Sequence, residues 1–226
     1  MITKHPVTGP AKSAYIDREP AQKESLPTGP FGPAAAEPRC SLLIYVPRNT
    51  TSSLIDEMTG RYGYSHLAVD CGELDIPSGK RIMVESTVGV GVHNSFQDEY
   101  GERKFVRISL EKVGVDIAEF CECVRSRMGE KFDQEEALTL GLIHDPARQV
   151  CSDLATGCLP EAMRTAIARS LQAGALHILS TVQHVETPGK PTRLFVSPNG
   201  FAQYFGAPRG EQLKGSDQLV EPVLPG

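Results

Sequence analysis

Three features are missing from the 226-residue chain, and each absence excludes a class of protein. There is no run of basic residues and the formal net charge is −5, so general affinity for nucleic acid or an anionic membrane is not expected. No apolar run approaches the ~20 residues that cross a bilayer. The first residues also lack the charged start and apolar block of a secretory signal, so we expect a soluble protein made in the cytoplasm.

Cysteine is sparse as well, with six residues in the chain, too few for a disulfide scaffold. No spacing is C-x-x-C, and the closest pair lies within a helical pattern, so neither a metal site nor another cofactor is expected. Five of the six are interpreted as small apolar core residues: Cys40, Cys71, Cys121, Cys123 and Cys158.

Composition divides the chain into three parts. Residues 1–38 hold seven of the seventeen prolines without any periodicity, and this predicts a disordered tail. Residues 39–207 carry the periodic segments and are predicted to form one folded domain. Residues 208–226 are polar and glycine-rich, so a second disordered tail is expected.

Periodicity in the central part predicts an α+β fold. Alternating and apolar runs predict an antiparallel sheet that closes into a partial barrel. Helices with apolar stripes are expected to pack against it, beginning at a polar cap within residues 49–52 and at Asp116. The predicted strands cover residues 40–46, 64–69, 81–87, 88–94, 104–110 and 192–197, and further helices cover 133–140, a segment from 151, and 160–171.

The candidate nucleophile is Cys151. The polar pair Ser152 and Asp153 directly after it indicates the first turn of a helix. At that position the unpaired backbone N–H groups and the helix dipole stabilise the thiolate over the thiol. The sequence therefore predicts a reactive cysteine.

Such a nucleophile needs a base and a group that orients the base. His66 lies on an alternating strand and is the candidate base, with His93 and His144 as alternatives. Glu85 lies on the next strand and is the candidate orienting carboxylate. Asp70, on the same strand face as His66, is its alternative, whereas Asp153 points to a different helix face from Cys151.

The order of these residues has a parallel in a known family. The segments "YSHLAVDCG", "IMVEST" with "GVGV" after it, and "VCSDLA" resemble the circularly permuted NlpC-type papain-like cysteine hydrolases, especially the YiiX/YebB-like group. In ordinary papain-like proteases the cysteine helix precedes the histidine strand, and in the permuted group it follows, as here. The resemblance covers roughly residues 40–205.

The resemblance implies a papain-like fold in which Cys151 is the nucleophile, His66 the general base and acid, and Glu85 the residue that orients the imidazole. The backbone N–H of Cys151 would be one oxyanion donor. It also implies a substrate cleft near the histidine strand and the cysteine helix. The expected cleft residues are Tyr45, Tyr64, Ser65 and Ser152.

The expected activity is cleavage of an amide in a peptide or a peptidoglycan stem peptide. One alternative is a thioester-forming acyltransferase of the lecithin:retinol type, although Val150 stands where that group typically has asparagine. Another is a binding module without turnover. If the protein is an antibacterial toxin, secretion machinery and an immunity protein would be its partners. The sequence does not indicate an oligomeric state.

Overall fold

The computed structural model describes residues 39–134, 137, 148–174, 182–185 and 193–222. Within them the chain is α+β, as predicted. The strands are β1 Ser41–Tyr45, β2 His66–Leu74, β3 Arg81–Thr87, β4 Gly91–Phe96, β5 Phe105–Ser109, β6 Lys131–Phe132, β7 Arg148–Gln149, β8 Val182–Val185, β9 Arg193–Val196 and β10 Asp217–Val220. The helices are α1 Thr50–Met58, α2 Ile117–Ser126, α3 Cys151–Cys158, α4 Glu161–Gly174 and α5 Pro198–Tyr204, with short 3₁₀ helices at Gln97–Tyr100, Glu111–Val113 and Gly210–Gln212.

Six strands form one sheet in the order β10-β5-β1-β2-β3-β4, while β6–β7 and β8–β9 form two small separate sheets. The antiparallel run β2–β3–β4 agrees with the predicted meander. Strand β5, however, pairs with β1 instead of β4, so β1 lies in the middle of the sheet. Because all five of its residues are buried, β1 is the central strand on which the fold is built.

The prediction of an antiparallel, barrel-like sheet is wrong in two respects. Strand β10 pairs with β5 in parallel, so the sheet is mixed. The sheet is also open, since β10 and β4 are its two edges and do not pair with each other.

The prediction of disorder for 208–226 is wrong where the structure describes that segment, because residues 210–212 form a 3₁₀ helix and β10 extends the sheet. Strand β10 is an edge strand with one paired backbone edge, and of its four residues only Val220 is buried. Folded structure therefore extends past the predicted boundary at residue 207. The predicted tail 1–38 and most of the predicted helix at 133–140 lie outside the described residues.

The main core lies between one face of the sheet and the helices. It contains alternate residues of the central strands, such as Leu42 and Leu67, together with Phe120 of α2 and Leu154 of α3. A smaller cluster covers the opposite face and consists of Leu43, Tyr45, Ala68, Met83 and Phe105. The period-two alternation of the strands therefore fills both faces of the sheet with apolar side chains.

The helix caps confirm two boundaries predicted from sequence. Asn49 accepts from the Ser52 backbone N–H and begins α1, and Asp116 accepts from the Glu119 N–H and begins α2. None of the helices in the described ranges is long and apolar enough to cross a membrane.

The interpretation of five cysteines as ordinary apolar residues is wrong for four of them. Cys71 is bonded to Cys121, and Cys123 is bonded to Cys158. Both bonds end on α2, so this helix is covalently tied to β2 on one side and to α3 on the other. Sequence spacing did not indicate this, because each pair becomes adjacent only when the helices pack.

Candidate active site

Helix α3 begins at Cys151, directly after β7. The hydroxyl of Ser86 on β3 donates to the Gln149 carbonyl at 2.7 Å, so the chain entering the helix is fixed to the sheet. Val150 is extended and offers no side-chain cap. The backbone N–H groups of the first turn are therefore free of a capping side chain next to the Cys151 thiol.

Cys151 is half-buried and keeps a free thiol. Burial alone would raise its pKa, but the charge of His66, a hydrogen bond to that ring, and the backbone N–H groups of Leu67 and Ser152 together lower it. Hydrogen bonds and an adjacent cation favour the thiolate over the thiol. These contacts lower the pKa of the thiol that the sequence predicts to be reactive.

His66, the first residue of β2, lies between Cys151 and a carboxylate. Its Nε2 is 2.6 Å from Glu85 Oε2, and the same ring is hydrogen-bonded to the Cys151 side chain. Burial lowers the His66 pKa, but Cys151 and Glu85 together outweigh that effect and raise it to about 9. The imidazolium form of His66 is therefore favoured beside a sulfur whose own pKa is lowered by that ring.

Glu85 reaches His66 because β2 and β3 pair in register. Glu85 is directly opposite Ala68, two residues along β2 from His66, so all three side chains emerge from the same face. Its side chain is only 2% exposed. Burial would raise its pKa, yet the hydrogen bond and charge of His66 hold it at about 2. The carboxylate stays ionised and accepts a hydrogen bond from the Nε2–H of the imidazolium.

Tyr100 is a fourth member of this hydrogen-bonded group, and sequence analysis missed it. Its hydroxyl donates to Glu85 Oε2 and lies 3.2 Å from His66 Nε2. It belongs to the 3₁₀ helix between β4 and β5, a segment without periodicity that could have indicated it. Its ring packs on Tyr45 at a centroid distance of 4.7 Å. Tyr100 thereby helps to fix the carboxylate oxygen that also contacts His66.

Arg103 places a second cation beside this group. Its guanidinium lies over the rings of Tyr45 and Tyr100, at 5.1 and 5.4 Å from their centroids. The Nε donates to the Val46 carbonyl at 2.6 Å, and an Nη donates to the Ser65 hydroxyl at 3.3 Å. Burial lowers the Arg103 pKa, while Tyr100, Tyr45, Cys151 and Glu85 oppose that effect. Arg103 therefore adds positive potential near the thiolate.

The structure places the rival histidine and carboxylates elsewhere. His93 Nδ1 donates to the Gly91 carbonyl at 2.9 Å, and its Nε2 is 3.8 Å from Glu85 Oε1, so it flanks the carboxylate on the far side. Asp70 pairs with Arg81 at 2.7 Å and Arg107 at 2.9 Å in a buried network remote from the imidazole. His144 lies outside the described residues.

The four predicted substrate-binding residues are buried. Tyr45 and Tyr64 have no exposed surface, and Ser65 and Ser152 are 4% and 1% exposed. The Tyr45 hydroxyl contacts Met83 Sδ at 3.2 Å, and the Tyr64 hydroxyl donates to the Pro208 carbonyl at 2.6 Å. In this conformation these residues support the site from inside, so contact with a substrate falls to more exposed neighbours.

A surface depression of about 590 Å³ adjoins the site on the side of Tyr100 and Arg103. Its lining carries both signs of charge and includes backbone of the segment that leads into β5. The lining residues are Val46, Pro47, Arg48, Asp98, Glu99, Tyr100, Gly101, Glu102, Arg103 and Lys104. The depression is open to solvent, and its lining combines charged side chains with apolar surface.

No protein-family model matches the chain, and no curated protein sequence matches it significantly. The chemistry of the site is therefore argued from its geometry. Cys151, His66, Glu85 and Tyr100 form a connected chain of hydrogen bonds from a helix start to a buried carboxylate.

Proposed function

We propose that the protein is a cysteine hydrolase that cleaves an amide bond through an acyl-thioester intermediate. The observation that carries the proposal is the contact of Cys151, at the start of α3, with a His66 ring that Glu85 also holds through Nε2. A nucleophile, a base and an orienting carboxylate in series are the arrangement that nucleophilic catalysis requires.

In the first step the Cys151 thiolate attacks the carbonyl carbon of the substrate, and the carbonyl π electrons move to oxygen. The backbone N–H groups at the start of α3 are the nearest donors for that oxyanion. The tetrahedral intermediate then collapses. The C–N bond breaks, and His66 Nδ1 gives its proton to the departing amine, which leaves Cys151 acylated.

In the second step neutral His66 accepts a proton from water, and the resulting hydroxide attacks the thioester carbon. The C–S bond breaks and the thiolate is regenerated beside the imidazolium. Glu85 and Tyr100 act throughout by fixing the ring, since the proton on Nε2 stays between the imidazole and the carboxylate. The lowered pKa of Glu85 suits it to that role.

A peptide amide, in particular one in a peptidoglycan stem peptide, is the substrate class we favour. The resemblance to permuted NlpC-type hydrolases supports it, as does the charged depression beside Tyr100 and Arg103. The two disulfides also support it, because such bonds persist in oxidising compartments, and peptidoglycan lies outside the reducing cytoplasm.

The test is to incubate the full chain with purified peptidoglycan, with isolated stem peptides and with a denatured protein substrate, and to detect new amines and the cleaved bond by mass spectrometry. Cys151→Ala is the inactive control. We expect cleavage of the cell-wall peptides, with a trapped acyl-enzyme at Cys151 when the reaction is quenched in acid.

Two outcomes would reject the proposal. Transfer of an acyl group from phospholipid to Cys151, without amide cleavage, would favour the acyltransferase. Binding of peptide with equal affinity by the wild type and Cys151→Ala, without turnover of any substrate, would favour a binding module. Expression in the periplasm tests the toxin hypothesis, because growth should stop with the wild type and continue with Cys151→Ala.

A further inference from the structure

Three cysteines outside the active site converge in the interior. Cys40 precedes β1, Cys71 lies on β2 and Cys121 lies on α2. Their sulfur atoms are all within 4.8 Å of one another. Cys71 and Cys121 are joined as a disulfide, and the Cys40 thiol contacts Cys121 Sγ at 3.6 Å. The disulfide accounts for two of these residues but leaves the third without a function.

The backbone is shaped to bring Cys40 into this group. Gly72 has a φ of +74°, and a Cβ atom at this position would lie 2.5 Å from the Arg39 carbonyl oxygen. Only glycine therefore allows the chain before β1 to approach β2 so closely. The pairing of β2 with β3 is also irregular here, between Asp70 and Leu74. The convergence of the three sulfurs is thus a feature of the fold and does not depend on the disulfide alone.

We propose that, once the Cys71–Cys121 disulfide is reduced, Cys40, Cys71 and Cys121 together bind one divalent metal ion of the zinc class as thiolates. Two thiolates on a tetrahedral zinc ion, each about 2.3 Å from it, are about 3.8 Å apart. The present Cys40–Cys121 separation of 3.6 Å is close to that value. Cys71 has only to move away from Cys121 after reduction, and it is partly exposed, so water can supply the fourth ligand.

The metal site forms in two steps, reduction of the disulfide and then binding of the ion. A thiol reductant gives two electrons and two protons to the Cys71–Cys121 disulfide and itself becomes a disulfide. The metal ion then forms three metal–sulfur bonds and releases three protons, so the three-thiolate complex carries a net charge of −1. The site is therefore a disulfide under oxidising conditions and a metal site under reducing ones.

The test uses the full chain, reduced with a phosphine under argon and freed of reductant, and titrates it with cadmium as the probe. We expect one equivalent to bind, with the ultraviolet charge-transfer absorption of a three-thiolate complex. Oxidised wild type should show no such band, and this control changes no residue. Cys40→Ser and Cys40→Ala should each weaken cadmium binding by about 100-fold or more, since each removes one of three ligands.

Cys123→Ser is the matched variant, because it removes a cysteine from the same helix that lies outside the group. Its cadmium affinity should equal that of reduced wild type. Zinc should also protect Cys40, Cys71 and Cys121 from alkylation in the reduced protein while Cys123 and Cys158 react.

Four outcomes would overturn the proposal. They are the absence of a charge-transfer band, equal binding by the Cys40 variants and the wild type, loss of binding in Cys123→Ser, and a reduced chain whose circular dichroism shows that it has unfolded. Reoxidation that yields a Cys40–Cys121 bond in place of metal binding would assign the third cysteine to disulfide exchange. None of these results depends on whether Cys151 is catalytic.

Discussion

Two cysteines in the molecule keep free thiols, and their surroundings drive their pKa values in opposite directions. Cys40 is fully buried next to a disulfide, where desolvation and nearby carboxylates raise its pKa to about 12. Cys151 has the start of a helix, two backbone N–H groups and His66 around it, and these lower its pKa despite burial.

The comparison shows that burial by itself does not decide cysteine reactivity. Desolvation acts on both thiols in the same direction. The difference comes from what the neighbouring strand presents, since β2 offers Cys151 a histidine and a backbone N–H at one end and places Asp70 near Cys40 further along. The same strand therefore activates one thiol and suppresses the other.

The largest expected effect is the difference in alkylation rate between the two thiols. At pH 6, without reduction, iodoacetamide should modify Cys151 at least about 10⁴-fold faster than Cys40, because little of Cys40 is ionised or accessible. Peptide mass mapping after a short exposure measures both rates in one sample. Denaturation should abolish the difference, and comparable rates in the folded protein would contradict the assignment of Cys151 as an activated thiol.

His66→Ala should remove most of that difference. Without the imidazolium, the Cys151 pKa rises toward that of an ordinary thiol, and hydrolysis should fall by about 10⁴-fold. In the wild type the alkylation rate should persist well below pH 8, whereas in His66→Ala it should follow the ionisation of a free thiol. His93→Ala is the control, because that ring flanks Glu85 without taking the Cys151 contact. An unchanged pH profile in His66→Ala would show that another group activates Cys151.

Glu85→Gln should have a smaller effect, about 10³-fold on hydrolysis, because the ring keeps its place but loses the negative charge that favours its protonated form. The His66 pKa is raised in the folded protein, so the imidazolium persists up to about pH 9 and is lost as pH rises through that value. In Glu85→Gln the alkaline limb of the rate profile should therefore move to lower pH. An alkaline limb at unchanged pH would show that the Glu85 charge does not set the pKa of His66.

The proximity of Cys151, His66 and Glu85 could be predicted because each of the three has a local signal. A helix start gave Cys151 its position, and alternating strands put His66 and Glu85 on a common face. The order β1–β2–β3 then aligned them, since antiparallel neighbours pair in register. The pairing of β5 with β1 and the addition of β10 in parallel could not be predicted, because they depend on which strand edges remain free after folding.

The prediction that the cysteines are unpaired core residues was wrong for a related reason. Composition and spacing predict disulfides only where cysteines are dense in the sequence. Here the two members of each bonded pair are 50 and 35 residues apart. What brings them together is the packing of α2 against β2 and α3. Tyr100 was missed because its contribution comes from a short 3₁₀ helix whose position is fixed by the strands on either side.

Tyr100→Phe should give the smallest measurable effect. The ring still packs on Tyr45, but the hydrogen bond to the Glu85 carboxylate is lost, and a bond to a charged group contributes about 1.5–3 kcal/mol. Only part of that appears in the rate, because His66 still holds the carboxylate, so we expect about a 10-fold loss of hydrolysis. Tyr45→Phe is the matched control, since its hydroxyl contacts only Met83 Sδ among the described residues. Equal rates of hydrolysis for the two variants would mean that the Tyr100 hydroxyl merely packs. A loss confined to Tyr100→Phe would show that the ordered Glu85 carboxylate maintains the difference between the Cys151 and Cys40 thiols.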